Sequence, residues 1–253
     1  MTTSRDRPAG PKVRADLLLL EQGHATSRAH AQALILAGDV FVGDDRVEKP
    51  GQLLRRETPL RVRERERYVS RGGYKLEGAL DGFALDPAGM VCVDVGASTG
   101  GFTDCLLQRG ARRVYAVDVG ENQLAPKLRE DPRVVVRDRT NARYLDASAF
   151  DEPIDLVVVD ASFIGIDKLL PALARIVRPG ALLLALVKPQ FEAGRREVSR
   201  GKGVIRDPEV RERVLAAARS AIEAHGFTVL GAADSVLGGP KGNREHFVFA
   251  RRT

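Results

Sequence analysis

The chain has 253 residues, 43% of them hydrophobic, with 40 basic against 34 acidic side chains and a formal charge of +6. That length and apolar content suit two unequal domains with buried cores, and no apolar run reaches the roughly 18 residues of a membrane span. Only two cysteines are present, Cys92 and Cys105, so a disulfide framework and a zinc site are both excluded. The basic surplus permits a nucleic-acid partner without requiring one.

Residues 1–12, MTTSRDRPAGPK, are polar, carry two prolines and lack the apolar segment of a signal peptide. A loose tail on a cytoplasmic protein is expected. Arg14 to Gln22 then sets Leu17, Leu18 and Leu20 on a helix that Gly23 closes. Ser27 caps a second helix, Arg28 to Ala37, ended by Gly38. Val40 to Val42, a turn at 43–45, and Leu60 to Val62 read as short strands, giving a small α+β module over residues 13–63. The sign-alternating run that follows makes residues 64–70 a linker.

ArgAlaAspLeuLeu at 14–18, the segment SRAHAQALILAGDVFV at 27–42 and ValGluLysProGly at 47–51 together resemble the S4 RNA-binding domain. Residues 1–70 hold 13 basic and 10 acidic side chains, a surplus that composition alone would assign to an ordinary solvated surface. The resemblance implies that Arg14, Ser27, Arg28, His30, Gln32 and Lys49 face structured RNA, and these residue types bind phosphates and 2′-hydroxyls.

Residues 71–253 are organised around VCVDVGASTGG at 91–101, an apolar strand with one acid, leading through Gly96, Gly100 and Gly101 into a helix from Phe102 to Gln108. Further apolar runs each end in a polar residue: Val114–Val117 in Asp118, Val134–Val136 before Asp138, Ile154–Val159 in Asp160, and Ala181–Val187 in Lys188. With helices at Ile166–Val177 and Pro208–His225 between them, this is a parallel α/β sheet. Thr228–Ala232 and His246–Ala250 are joined without a helix, so the last strand should return antiparallel.

A parallel sheet closed by an antiparallel hairpin resembles the Rossmann-like class I S-adenosyl-L-methionine methyltransferases. In a dinucleotide fingerprint the second glycine admits a pyrophosphate; here Ser98 stands at that position and would crowd it. The resemblance implies that the Gly96–Ser98–Gly100 turn and Asp94 hold the methionine end of S-adenosyl-L-methionine. Asp118, 22 residues after Gly96, is placed for the ribose hydroxyls. Asp138 is implied to reach the adenine amine.

Ligands in such sheets bind beyond the carboxyl ends of the strands, where Asp160 and Lys188 sit. An antiparallel last strand starts at that same edge and brings Glu245 there. With Lys75, which only the resemblance places, these residues resemble the Lys-Asp-Lys-Glu tetrad of ribose 2′-O-methyltransferases. A ribose hydroxyl is a weak acid, so transfer needs a positioned base, and Lys188 is the amine expected nearest it.

The S4-like front, GASTGGFT at 96–103, RTNAR at 139–143, KPQFE at 188–192 and GNRE at 242–245 are together similar to the TlyA family of ribosomal RNA cytidine 2′-O-methyltransferases. The family implies a ribosomal partner, no metal and no membrane. Tyr68 stands where some members carry tryptophan. Shorter members act on the large subunit alone, and a chain stopping soon after its last strand points to that RNA. The basic, glycine-rich run at 194–206, with Arg195, Arg196, Arg200, Lys202 and Arg206, reads as a loose RNA clamp. Three rival functions are an inactive RNA-binding scaffold, a membrane-active haemolysin and a nicotinamide dehydrogenase. The complete tetrad, the lack of an amphipathic or spanning segment, and Ser98 argue against them in turn.

Overall fold

The computed structural model describes residues 11–63, 66–239 and 242–253. The chain divides into two units, one through Glu66 and one from Arg67. In the first, β1 (Lys12–Arg14) leads into α1 (Ala15–Glu21) and α2 (Arg28–Leu36), followed by β2 (Val40–Val42), β3 (Asp45–Arg46), β4 (Leu53–Arg55) and β5 (Arg61–Val62). β2 is central in an antiparallel trio with β3 and β5, while β1 pairs with β4. Ser27 caps α2 as expected, its hydroxyl accepting from the His30 amide. Leu18, Leu19, Ile35, Val40 and Val47 form the core.

Two boundaries differ from expectation. The tail falls mostly outside the described residues, but Lys12 and Arg14 belong to a strand because β4 offers them an antiparallel partner. In the linker, residues 64 and 65 lie outside the described residues, whereas Tyr68 is buried in the second unit and the Val69 amide donates to Asp104. An aromatic that finds a pocket overrides the solvated reading of its charged neighbours.

The second unit comprises α3 (Arg71–Gly82), β6 (Val91–Val95), α4 (Gly101–Gln108), β7 (Arg113–Val117), α5 (Pro126–Arg129), β8 (Val134–Arg137), β9 (Ile154–Val159), α6 (Leu170–Ile176), β10 (Val177–Val187), α7 (Pro189–Glu192), α8 (Arg195–Arg200), α9 (Pro208–Ala224), β11 (Phe227–Asp234) and β12 (His246–Arg252). The sheet order is β11-β12-β10-β9-β6-β7-β8, and β12 runs antiparallel to both its neighbours. β6 is buried at all five positions because both sheet faces are covered. Val91, Val93 and Val95 join the α6 and α9 side, and Cys92 the α3 and α4 side. α9 presents Val210, Val214, Ala218 and Ile222 at four-residue spacing, behind the Asp207 cap. Among the described residues no helix is long and apolar enough to cross a membrane.

The run expected as a loose clamp at 194–206 is ordered instead. It forms α8, and Val204 and Ile205 are buried after it. Asn243 holds this exit, accepting from the Ile205 amide and donating to the Gly203 carbonyl. Apolar anchors outweigh the charge pattern.

Candidate active site

The turn after β6 forms because Gly96 adopts φ +88°, with its amide donating to the Val117 carbonyl. A Cβ at this position would stand 2.8 Å from the Asp160 carbonyl oxygen, so only glycine lets β6 and β9 approach here. Asp94 lies beneath the turn and accepts from the Thr103 amide at 2.9 Å and hydroxyl at 2.7 Å, tying β6 to α4. Gly100 is the N-cap of that helix. Burial pushes the Asp94 carboxyl up to about 7, and its Oδ1 has no hydrogen-bond partner.

Two cavities open beyond the strand ends. One, of about 480 Å³, is bordered by Ser98, Asp118, Asn141, Asp160 and Phe163. The other, of about 270 Å³, is bordered by Ser70, Lys75, Ser98, Phe102 and Asp160. Gly96, Ser98 and Asp160 border both, making one crevice. Asp118 accepts from the Ser98 amide at 2.8 Å and the Gly120 amide at 2.7 Å. Two of its lone-pair sites are left for hydroxyl donors.

Asp94 and Asp138 border neither cavity. Asp94 is the floor of the turn, so its expected cofactor contact is limited to Oδ1. Asp138 is turned to Arg129, at 2.5 Å, and to the Asn122 amide, and the guanidinium holds its carboxyl below the usual range. Thr140 and Asn141 border the cavity in its place.

The four tetrad positions do converge. Lys75 Nζ lies 2.6 Å from Glu245 Oε2, and Lys188 Nζ lies 2.6 Å from Asp160 Oδ1. Lys75, Lys188 and Glu245 are 8%, 8% and 1% exposed. Burial pushes the Asp160 carboxyl up; Lys188 and then Lys75 oppose this, and Glu245 reinforces it, so all four groups share one electrostatic environment. Lys75 and Asp160 border the crevice, with Lys188 behind Asp160.

Lys75 is delivered by α3, a helix that its glycines concealed in the sequence. α3 packs on α4 where Gly101 meets Gly73: a Cβ on Gly101 would stand 2.9 Å from the Gly73 nitrogen. Three further residues escaped sequence reasoning. Lys188 donates to Ser162 Oγ at 2.9 Å, Gln190 donates to Glu245 Oε1 at 3.3 Å, and Phe163, at φ +65°, is 91% exposed beside the crevice. Ser162 and Phe163 stand two and three residues after Asp160, a proximity that could have drawn attention to them.

In the first unit, Arg14, Arg28 and Gln32 all donate to the buried Asp16, at 2.9, 3.1 and 3.0 Å to Oδ2. The Arg14 guanidinium, with Gln32 and Arg28, holds that carboxyl well below the usual range. Ser27 is occupied as a cap, and His30 Nδ1 lies 3.3 Å from Thr26 Oγ1. Lys49 is exposed, as is Lys202 in the second unit, while the side chains of Arg195 and Arg196 lie outside the described residues.

The FtsJ-like methyltransferase family matches residues 68–252, and the S4 domain family matches residues 13–59. A curated relative, the 16S/23S rRNA (cytidine-2′-O)-methyltransferase TlyA of Mycobacterium tuberculosis, is 49% identical over 95% of this chain and 90% of its own length. A Streptococcus thermophilus structure, provisionally named a hemolysin, is 43% identical at a TM-score of 0.73, covering 97% of this chain and 90% of that one. A Listeria monocytogenes structure, provisionally named an S-adenosylmethionine dependent methyltransferase, reaches a TM-score of 0.55 at 12% identity over 73% of this chain and 100% of its own. That likeness is one of fold alone.

Proposed function

This chain belongs to the TlyA family, an S4 domain joined to an FtsJ-like methyltransferase domain, and from that premise we propose that it methylates a cytidine ribose 2′-hydroxyl of ribosomal RNA, using S-adenosyl-L-methionine. The observation that carries this reading is the paired Lys75–Glu245 and Lys188–Asp160 cluster, which reaches the crevice through Asp160, common to both cavities, and through Lys75 on the border of the smaller one. The crevice suits a donor without phosphates: Ser98 fills the pyrophosphate position, Asp118 retains acceptor sites for ribose, and Asp94 Oδ1 is an unmatched acceptor under the turn.

When bound, S-adenosyl-L-methionine supplies an electrophilic methyl group on a positively charged sulfur. Lys188, in its neutral form, would take the 2′-hydroxyl proton as the oxygen bonds to the methyl carbon and that carbon's bond to sulfur breaks, the sulfur leaving as a neutral thioether. Asp160, 2.6 Å away, then stabilises the ammonium that results. Ser162 fixes the amine from a second side. Lys75 and Glu245 hold the acceptor half of the site. One observation favours exchanging the two lysines, since Lys75 borders the smaller cavity directly.

Arg14, Arg28, His30 and Lys49 of the S4 domain bind the RNA, with Ser27 and Gln32 ordering them; Arg195, Arg196 and Lys202 add contacts from the second domain. A ribosomal substrate makes the cytoplasm the working compartment. Incubation with labelled S-adenosyl-L-methionine and separated small subunits, large subunits, whole ribosomes and free RNA, followed by mapping of 2′-O-methyl groups, tests the reading. Transfer to large-subunit RNA is expected, and similarity to a 16S/23S enzyme supports including the small subunit. No transfer to any of these substrates overturns the proposal.

A further inference from the structure

A third cavity, of about 170 Å³, lies on the other side of β12 from the tetrad, bordered by Pro208, Arg211, Glu212 and Leu215 of α9 and by Arg244 and His246. Side chains alternate along a strand, so Glu245 and Phe247 turn toward α3 and α4, while Arg244, His246 and Val248 turn toward α9. The cavity is therefore one residue along the chain from a tetrad carboxylate, over the same edge of the sheet.

Its lining is cationic and unmatched. Arg211 is half-buried and Arg244 exposed, and neither makes an ion pair or side-chain hydrogen bond among the described residues. His246 Nδ1 is held by Asp234 at 2.7 Å, whereas its Nε2 is buried with no hydrogen-bond partner. Glu212, which is exposed, is the one acid on the border. A half-buried guanidinium and a buried ring nitrogen left unpaired are unfavourable unless something supplies the missing acceptor. The volume is below that of sites for whole small molecules and suits a single group. Two guanidinium forks, joined by the Nε2–H that His246 presents as an imidazolium while Asp234 holds its Nδ1–H, are the donor set of a phosphate.

We propose that this cavity seats a backbone phosphate of the RNA strand whose ribose is presented to the tetrad, and so sets the strand's register across β12. The inference rests on the RNA methyltransferase reading above. Phosphate contacts of this kind position a strand without reading its sequence.

The test measures binding of a ribosomal RNA fragment across a salt series, together with transfer from labelled S-adenosyl-L-methionine, for the parent chain, Arg211→Gln and Arg211→Lys. Arg211→Gln should weaken RNA binding about tenfold and flatten the slope of log K against log salt by about one. KM for RNA should rise while kcat stays within about twofold, and cofactor affinity should not change. Arg211→Lys should restore the slope and part of the affinity. Parental affinity and slope in Arg211→Gln overturn the inference, as does a fall in kcat at unchanged KM, which marks a structural arginine. The binding arm separates the two proposals: a parent chain that binds RNA yet transfers nothing sinks the enzyme reading and still decides the role of Arg211. A parent that binds no RNA sinks both.

Discussion

Asp16 in the S4 unit and Asp160 in the methyltransferase unit both gather cations, yet they titrate in opposite directions. Around Asp16 stand two guanidiniums and an amide, and the arginine side chains remain 41% and 55% exposed. The carboxylate is over-supplied with donors, its proton affinity falls, and the unused N–H groups face solvent in fixed positions. Around Asp160 the charges balance, two lysines against two carboxylates, and burial is the dominant influence, pushing the carboxyl up. Surplus, exposed charge makes a surface that grips phosphates, whereas balanced, buried charge makes a place to move a proton. The signs of linkage differ accordingly. A depressed carboxyl such as Asp16 contributes stability that is complete above its unfolded value, near 3.9, and lost as pH falls through its folded value. A raised carboxyl such as Asp160 has its stabilising effect below the unfolded value and loses it as pH rises.

The largest expected effect lies in the balanced cluster. Lys188→Ala should lower single-turnover transfer by about 10²- to 10⁴-fold while cofactor affinity, measured by calorimetry, stays near that of the parent. Collapse of cofactor binding instead would make the lysine a structural partner of Asp160 and erase the contrast with the S4 unit. Asp94 is the limiting case of the comparison, buried without a cation beside it. Because its carboxyl is raised to about 7, the parent should lose up to about 4 kcal/mol of stability as pH rises from about 4 to about 7. Asp94→Asn keeps an acceptor for Thr103 and should flatten this dependence in denaturant melts between pH 5 and 8. An unchanged slope would assign the titration to another group. Asp16→Ala comes next. Freeing Arg14 and Arg28 should weaken RNA binding about tenfold and cost the S4 unit roughly 2 kcal/mol, with transfer at saturating RNA unaltered. Parental RNA affinity in that variant would show that ordering of the arginines is irrelevant to binding.

Most of the sheet was legible because its signals are local: apolar runs that end in Asp118, Asp160 and Lys188, and a last pair of strands too close for a crossover. The position of Glu245 followed from strand direction alone. α3 was not legible. Its four glycines break the local helical pattern, and the reason for Gly72 and Gly73 lies on another element, where they meet Gly101. α8 was hidden for the opposite cause, since five cations within 194–206 drew attention from Val204 and Ile205, which anchor the segment. Gln190 carries no signal of its own and Ser162 only its nearness to Asp160, because hydroxyls and amides are ordinary near strand ends until a buried lysine or glutamate needs them.

Asp138 is where spacing and geometry part, and it provides the smallest predicted effect. Its place after β8 matches an adenine-binding acid, but spacing locates a Cα and says nothing of where the carboxylate turns. Arg129 and the Asn122 amide hold it outside the crevice, in a partly exposed pair of the kind worth less than about 1 kcal/mol. Asp138→Asn should therefore change the cofactor Kd by no more than about twofold and leave transfer intact. Asp118→Asn, which removes the charge from an acid that borders the cavity, should weaken cofactor binding about tenfold. Calorimetric titration of the two variants side by side decides the matter: an equal loss at Asp138 would mean that its carboxylate swings to the adenine when the donor binds, and that its pairing with Arg129 is a resting position of the binding site.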